Sequence, residues 1–281
     1  MTSRGGAVVT GAGGGLGART AELLAARGYR VRVTDVDGDA AREVAARIGG
    51  TATASALDVR DADACRAVAE TAAAAGGLDV WVNNAGVLLT GPAWDQDAEQ
   101  RRLMVEVNVL GLMNGTVAAV GEMRRTGRGH VVNVASLAGL VAVPGEAVYA
   151  GTKHAVLGFS LSTQADLHLA GLKGIHVSCV CPGGMWTPML HDKLDDPGAA
   201  LSFSGRLLRP EEVATVIGRV LDRPRQVTAV PAWRGVETRL ADAVPDLSLK
   251  ALSLFVAQGR RTQRKLSRKG VAGSLRGAPK P

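Results

Sequence analysis

Three side chains near the middle of the chain have the types and spacing to move a proton: Ser136, Tyr149 and Lys153. Tyr149 and Lys153 stand four residues apart, and Pro144-Gly145 breaks the chain just before them. A helix beginning near Glu146 therefore puts both on one face, one turn apart. An unperturbed tyrosine has a pKa of about 10, and a lysine ammonium beside it favours the phenolate and lowers that value. Ser136 follows Val131-Val132-Asn133-Val134-Ala135, an apolar run that reads as a buried strand, so its hydroxyl stands at the strand's end. From there it can hold a carbonyl oxygen beside the phenol. The three groups make a proton-transfer site for interconverting C=O and CH–OH. Tyr-x-x-x-Lys alone is a common pattern, so the elements around it must carry the argument.

Those elements supply a place for a hydride carrier. Residues 5–10 read as a short strand, Thr10-Gly11-Ala12-Gly13-Gly14-Gly15-Leu16-Gly17 as a glycine-rich turn, and the run to Gly28 as a helix. Glycines let backbone approach a pyrophosphate, and a helix N-terminus offers free N–H groups and a favourable dipole. The spacing is Thr-Gly-x-x-x-Gly-x-Gly; the strict G-x-G-x-x-G fails at Leu16. The next strand, Val31-Arg32-Val33-Thr34, ends in Asp35, 20 residues after Gly15. An acid there accepts hydrogen bonds from the adenosine ribose and repels a 2′-phosphate, which favours NAD over NADP. Capping the helix from about Asp39 is an alternative use for Asp35, open equally to Asp37 and Asp39.

Further strands are expected at 51–57, closing in Asp58-Val59, and at 78–82, closing in Asn83-Asn84-Ala85-Gly86. Polar side chains and a glycine at a strand's carboxyl end fit a ligand crevice, though they also suit a plain turn. A helix covers 61–75 and a longer helical region 97–125, where Asn108 interrupts the apolar face of Val105, Val107, Val109 and Leu110. Asn108 either bonds a backbone carbonyl or bends the helix and holds a water for a proton relay. The strand Ile175–Cys181 leads into Pro182-Gly183-Gly184-Met185-Trp186-Thr187-Pro188-Met189-Leu190, a helix starts at Arg209-Pro210, and a last strand covers 226–230. Such alternation predicts an α/β parallel sheet with helices on both faces. Residues 183–208 lack periodicity, and a loop of that length suits a lid or binding loop. Its apolar residues predict a hydrophobic substrate pocket, or packing onto a partner subunit. Leu88, Leu89, Val141 and Val143 agree with a pocket and equally with a core.

A chain of 281 residues suffices for one large α/β domain. No apolar run of roughly 18–20 residues is evident for spanning a bilayer, and no apolar signal region follows the start. Cys65, Cys179 and Cys181 read as buried reduced thiols of a cytosolic protein; Cys-x-Cys without a His cluster is a poor metal site. Residues 259–281 carry eight cations and no acid, which leaves residues 1–258 at a formal −1 against +7 for the whole chain. The basic character belongs to a tail. Helices over about 236–243 and 247–258 precede it, and the tail itself is expected as a disordered end. Alternatively, the apolar 247–258 segment and its cations lie on an acidic bilayer. Nucleic acid is disfavoured, because no aromatic interleaving accompanies the charges.

With these motifs in order, the chain resembles the short-chain dehydrogenase/reductase family, in its compact branch, over roughly residues 5–231. The resemblance rests on Thr10-Gly11 through Gly17, Asp58, Asn83–Gly86, Asn108, Ser136, Tyr149-x-x-x-Lys153, and Pro182-Gly183 with Thr187. It implies a Rossmann-type doubly wound sheet of seven parallel strands over 1–231, with 232–281 as a helical extension. It also implies a nicotinamide cofactor, a secondary alcohol or ketone substrate, and a homo-oligomer whose usual tetramer the extension puts in question. By this resemblance Tyr149 is the general acid/base, Lys153 lowers its pKa and holds the nicotinamide ribose, Ser136 orients the substrate oxygen, and Asn108 supports the relay. The cofactor would lie along Thr10, Gly11, Gly13, Gly14, Gly15, Leu16, Gly17, Asp35, Val36, Asp58, Val59, Asn84, Ala85, Gly86, Val107, Pro182, Gly183, Met185 and Thr187. The substrate would meet Leu88, Ser136, Val143, Trp186, Met189 and Leu190.

Overall fold

The computed structural model describes the backbone of residues 4–275 and the side chains through Arg268. Seven parallel strands form one sheet in the order β3-β2-β1-β4-β5-β6-β7. They are β1 (Gly6–Val9), β2 (Arg30–Asp35), β3 (Thr53–Ala56), β4 (Leu78–Asn83), β5 (Gly129–Val134), β6 (Ile175–Pro182) and β7 (Val227–Val230). Between them run α1 (Gly15–Ala26), α2 (Gly38–Ile48), α3 (Ala62–Ala74), α4 (Ala98–Val105), α5 (Leu112–Thr126), α6 (Ala147–Leu169), α7 (Pro188–His191) and α8 (Pro210–Asp222). This is a Rossmann-type doubly wound fold. The direction of winding reverses between β1 and β4, which opens a crevice at the carboxyl ends of those strands.

The inner strands β1, β4, β5 and β6 are buried on both faces, and their period of two divides the core. Ala7 and Val9 of β1 and Val132 and Val134 of β5 join the cluster under α1, α2 and α8. Val8 and Val131, one residue out of phase, join the cluster under α3 and α5. Cys179 and Cys181 point to one side of β6 by the same alternation, reduced and buried, with Sγ atoms 3.8 Å apart. A buried polar ladder holds the middle of the sheet in register. Asn83 Nδ2 donates to Asn133 Oδ1 at 2.8 Å, and Asn133 Nδ2 donates to Ser160 Oγ at 2.9 Å.

The helical region after β4 is continuous from Ala98 to Thr126, with one turn of π-helix at Glu106–Gly111. By length and composition this stretch passes as a bilayer span, contrary to the expectation from apolar runs. It packs against the sheet and α3 as a core helix. Residues 183–208 are not a bare loop. They contain α7 and a 3-10 turn at Pro197–Phe203, whose Leu190, Leu194, Ala199 and Phe203 make a small core of their own.

The C-terminal extension differs most from expectation. It forms α9 (Ala232–Ala243) and α10 (Pro245–Leu275), so residues 259–275 of the basic tail, expected as disordered, continue a helix; residues 276–281 lie outside the described residues. This helix docks on the 183–208 segment. Gln263, 4% exposed, donates to the carbonyls of Lys193 and Asp196 at 2.9 and 2.7 Å, and Ser267 bonds Asp195. Gly259 packs so closely that a Cβ there would lie 1.7 Å from the Ala200 carbonyl oxygen.

That contact sets two helix propensities against packing. Gly→Ala in an open helix position stabilises by roughly 1 kcal/mol, and Gly121 of α5 has open space around it. Gly121→Ala should raise the melting temperature. Gly259→Ala should lower it, because overpacking of about 1–3 kcal/mol exceeds the propensity gain. Thermal denaturation of both variants checks the pair; a stabilised Gly259→Ala would show that α10 does not dock there.

Candidate active site

The glycine turn is fixed from two sides. Thr10 Oγ1 accepts the backbone N–H groups of Asn84 and Ala85, both at 3.1 Å. Asn84 Nδ2 donates back to the carbonyls of Thr10 and Gly11 at 3.0 and 2.8 Å. The turn thus hangs from the end of β4, and Asn84 serves it as a tether. Gly11 has φ +60°, and a Cβ on it would come within 2.6 Å of Ala85 Cα, so the close approach requires glycine. Gly17 likewise packs on Gly11, with Leu16 buried beside it. Gly14 faces open space at the N-terminus of α1, and Thr187 sits across from Gly15. This is the cradle a pyrophosphate needs: free N–H groups, no side chains and a helix dipole.

Asp35 lies beside the glycine turn. Its Oδ2 accepts from Gly13 N at 2.9 Å and its Oδ1 from Asp37 N at 3.0 Å. Asp37, and not Asp35, caps α2, accepting from the N–H groups of Asp39 and Ala40. Val36 projects into solvent at the rim. Asp58 turns to Arg60, which forks onto both its oxygens and holds its carboxyl below the usual range. Val59 is buried against Gly111, so its side chain belongs to the core. Val107 and Met185 are part-buried and packed against the two large clusters.

Ser136, Tyr149, Lys153 and Asn108 gather at the carboxyl end of β5. Lys153, 4% exposed, donates from Nζ to the Val134 carbonyl at 3.1 Å and lies 5.5 Å from the centre of the Tyr149 ring. Burial brings its pKa down to about 8. Asn108 sits in the π turn; its Oδ1 accepts Val87 N–H at 2.8 Å and its Nδ2 donates to the Val87 carbonyl at 2.9 Å and to Thr152 Oγ1 at 3.2 Å. Gly86 completes the cluster, since a Cβ on it would meet Asn108 Oδ1 at 3.2 Å and Lys153 Nζ at 3.6 Å. Burial pushes the Tyr149 phenol up, Glu146 pushes it further, and Ser136 draws it partly back. The Lys153 ammonium is engaged with Val134.

A cavity of about 310 Å³ opens in front of Ser136. Of the expected substrate residues, Ser136 and Val143 line it. Leu190 and Trp186 instead pack inside the 183–208 segment, Met189 is exposed and Leu88 is buried. The apolar residues of the segment mostly hold the segment together, and Leu201 is the one facing the cavity with Val141 and Val143. Sequence reasoning missed Glu146, which also lines the cavity at 1% exposure, N-terminal to α6, where Ser202 Oγ donates to it at 2.6 Å.

Comparison with known proteins agrees with this geometry. Residues 6–198 match the short chain dehydrogenase family. A 2,5-dichloro-2,5-cyclohexadiene-1,4-diol dehydrogenase of Sphingobium indicum is 37% identical over 74% of this chain and 85% of its own. A cyclohexanol dehydrogenase of an Acinetobacter species is 34% identical over 76% of this chain and 86% of its own. A solved short chain dehydrogenase/reductase from Burkholderia phymatum, in complex with NAD, superposes with TM-score 0.79 at 27% identity, covering 87% of this chain and 95% of that one. The chain belongs to the short-chain dehydrogenase/reductase family. It is a nicotinamide-dependent oxidoreductase acting on CH–OH groups.

Burial raises the Glu146 carboxyl from an ordinary 4.5 to about 7, against the Ser202 hydrogen bond, with Asp196 adding to the rise. An acid whose folded pKa exceeds its unfolded value holds more protons folded between the two, so it costs stability as pH rises through that window. Glu146→Gln keeps an acceptor for Ser202 and removes the ionisation. It should stabilise the protein by on the order of 2–3 kcal/mol near pH 8 and by nothing near pH 4. Denaturant unfolding at both pH values checks this; an equal effect at each would show that Glu146 is not the titrating group.

Proposed function

We propose that the chain is an NAD(H)-dependent dehydrogenase of an apolar, alicyclic secondary alcohol, or of the matching ketone. The observation that carries this reading is the apolar-walled cavity in front of Ser136, with Tyr149 packed beside it on Ala138, Val143 and Ala150. The names of the cyclohexanol and cyclohexadiene-diol dehydrogenases support the alicyclic class. Asp35 beside Gly13 supports NAD over NADP, because its carboxylate occupies the place a 2′-phosphate would need.

In the proposed reaction Ser136 holds the substrate oxygen and the Tyr149 phenolate takes its proton as the alcohol is oxidised; reduction runs the same transfer backwards. Lys153, released from Val134, would hold the nicotinamide ribose and stabilise the phenolate. Asn108 keeps the π turn and the Val87 strand-end together behind them. The bound nicotinamide would supply the hydride acceptor or donor. Exposed Val105, Leu110 and Val117 before β5 and Leu161 and Leu169 on α6 support a homo-oligomer. Three reduced, buried cysteines support a cytoplasmic setting.

Thermal-shift titration with NADH and NADPH in parallel tests the cofactor reading, since a ligand of the folded state raises the midpoint by mass action. A shift with NADH alone is expected, and a larger shift with NADPH would overturn it. Tyr149→Phe should lower kcat on cyclohexanol by at least about 100-fold and keep the NADH shift. Turnover near that of the unaltered protein would sink the mechanism.

A second reading adds peripheral contact with an acidic bilayer. Trp233, Val236, Leu240, Leu247 and Leu254 are exposed on α9 and α10, ahead of Arg260, Arg261, Arg264, Lys265 and Arg268. The protein should then sediment with phosphatidylserine vesicles, and Leu240→Glu with Leu247→Glu should abolish it. Failure of the unaltered chain to sediment removes this reading.

A further inference from the structure

The cavity holds one acid that the proton-transfer chemistry does not use. Glu146 stands at the N-cap position of α6, three residues before Tyr149, and lines the same cavity as Ser136. Leu137, Ala138, Val141, Val143 and Leu201 give the cavity an apolar wall, and Arg206 and Arg234, paired with Glu212 and Glu237, also line it. Among the described residues the carboxyl takes a single side-chain hydrogen bond, from Ser202 to Oε1, and no cation pairs with it. Its second oxygen has no protein donor. A buried carboxyl with one oxygen unpartnered is unfavourable unless something entering the cavity completes it. A latch for the Ser202 hydroxyl alone needs no ionisable group, since an amide carbonyl accepts equally well.

We propose that Glu146 is a specificity-determining residue that accepts a hydrogen bond from a second hydroxyl of the substrate, remote from the carbinol that reacts at Ser136 and Tyr149. The substrate class is thereby an alicyclic diol or the corresponding hydroxyketone. The inference rests on the alcohol-oxidoreductase reading of the cleft. The separation of three residues between Glu146 and Tyr149 suits two hydroxyls borne on one small ring. The apolar wall fits the carbon skeleton.

The test compares cyclohexane-1,4-diol with cyclohexanol. Binding is measured by calorimetry in the Tyr149→Phe protein saturated with NAD, where turnover is blocked. The diol should bind about 10- to 100-fold more tightly, the range expected for a hydrogen bond to a charged acceptor. Glu146→Leu should collapse that ratio towards one, and Glu146→Gln, which keeps a carbonyl acceptor, should retain part of it. Ser202→Ala should preserve the ratio, because it removes the latch and leaves the carboxyl. Equal affinity for the two alcohols, or an equal collapse in Ser202→Ala, overturns the proposal. Turnover of both alcohols by the protein with Tyr149 intact and with equal kcat/KM overturns it too, and leaves the dehydrogenase reading standing. Discrimination in binding without turnover of either alcohol removes the dehydrogenase reading and upholds the role of Glu146.

Discussion

A buried ammonium is the constraint around which this site is built. Lys153 has almost no contact with solvent, and an uncompensated charge in that position would be too costly to keep. Part of the answer is the Val134 carbonyl, freed for it where β5 ends. The rest is close packing by residues without side chains. Gly86 lies against Nζ, and Gly139 lets the turn after β5 touch the Lys153 backbone, where a Cβ would come within 2.6 Å of its carbonyl oxygen. Once Lys153 is seated, the height and rotation of α6 are fixed, and with them the position of Tyr149 one turn earlier. Asn108 secures the other side, because its amide both donates to and accepts from the backbone of Val87. The π turn exists where that side chain must reach inward.

The cavity depends on a second, longer-range arrangement. The 183–208 segment is gripped from both sides. From within the site, Glu146 takes the Ser202 hydroxyl and Thr90 bonds Asp196. From outside, α10 presses Gly259 onto Ala200 and caps the Lys193 and Asp196 carbonyls with Gln263. The extension therefore holds the segment that contributes Leu201 and Ser202 to the cavity. Its cations do double service, since Arg260, Arg264 and Arg268 line the seam with Asp195 while Gln263 stays buried.

Much of this was legible in the sequence, for reasons that can be named. A parallel sheet buried on both faces needs apolar strand runs separated by helices, and that alternation is visible without coordinates. Tyr149, Lys153 and Ser136 are legible because a helix period and a strand end fix their relation locally. The role of Asp37 as the α2 cap was one of several open alternatives, and only the backbone separates it from Asp35 two residues earlier. The docking of α10 left no signal. It is made by Gly259, Gln263 and Ser267 with Leu266 alone packing on the segment's apolar cluster, so the cationic stretch shows no hydrophobic period to read. Trp186 and Leu190 read as pocket residues because apolar content cannot tell a lid's own core from the surface it presents. Glu146 read as a helix-start acid, a usual place for one. Its burial comes from Ser202, 56 residues later in the chain.

The same carboxyl sets a tension inside the site. Burial already holds the Tyr149 phenol protonated, and the charge of Glu146 three residues away opposes the phenolate further. A group so placed works against proton abstraction whenever it is ionised and unpaired. Two physical routes relieve the conflict. The carboxyl can stay neutral, which its pKa of about 7 makes possible near physiological pH, or a donor in the cavity can take up its charge. A substrate hydroxyl does the second, and it does so only when the substrate is in place. Recognition at one end of the cavity then weakens the electrostatic opposition to chemistry at the other, so an acid that is unfavourable in the empty site becomes compatible with proton transfer in the filled one.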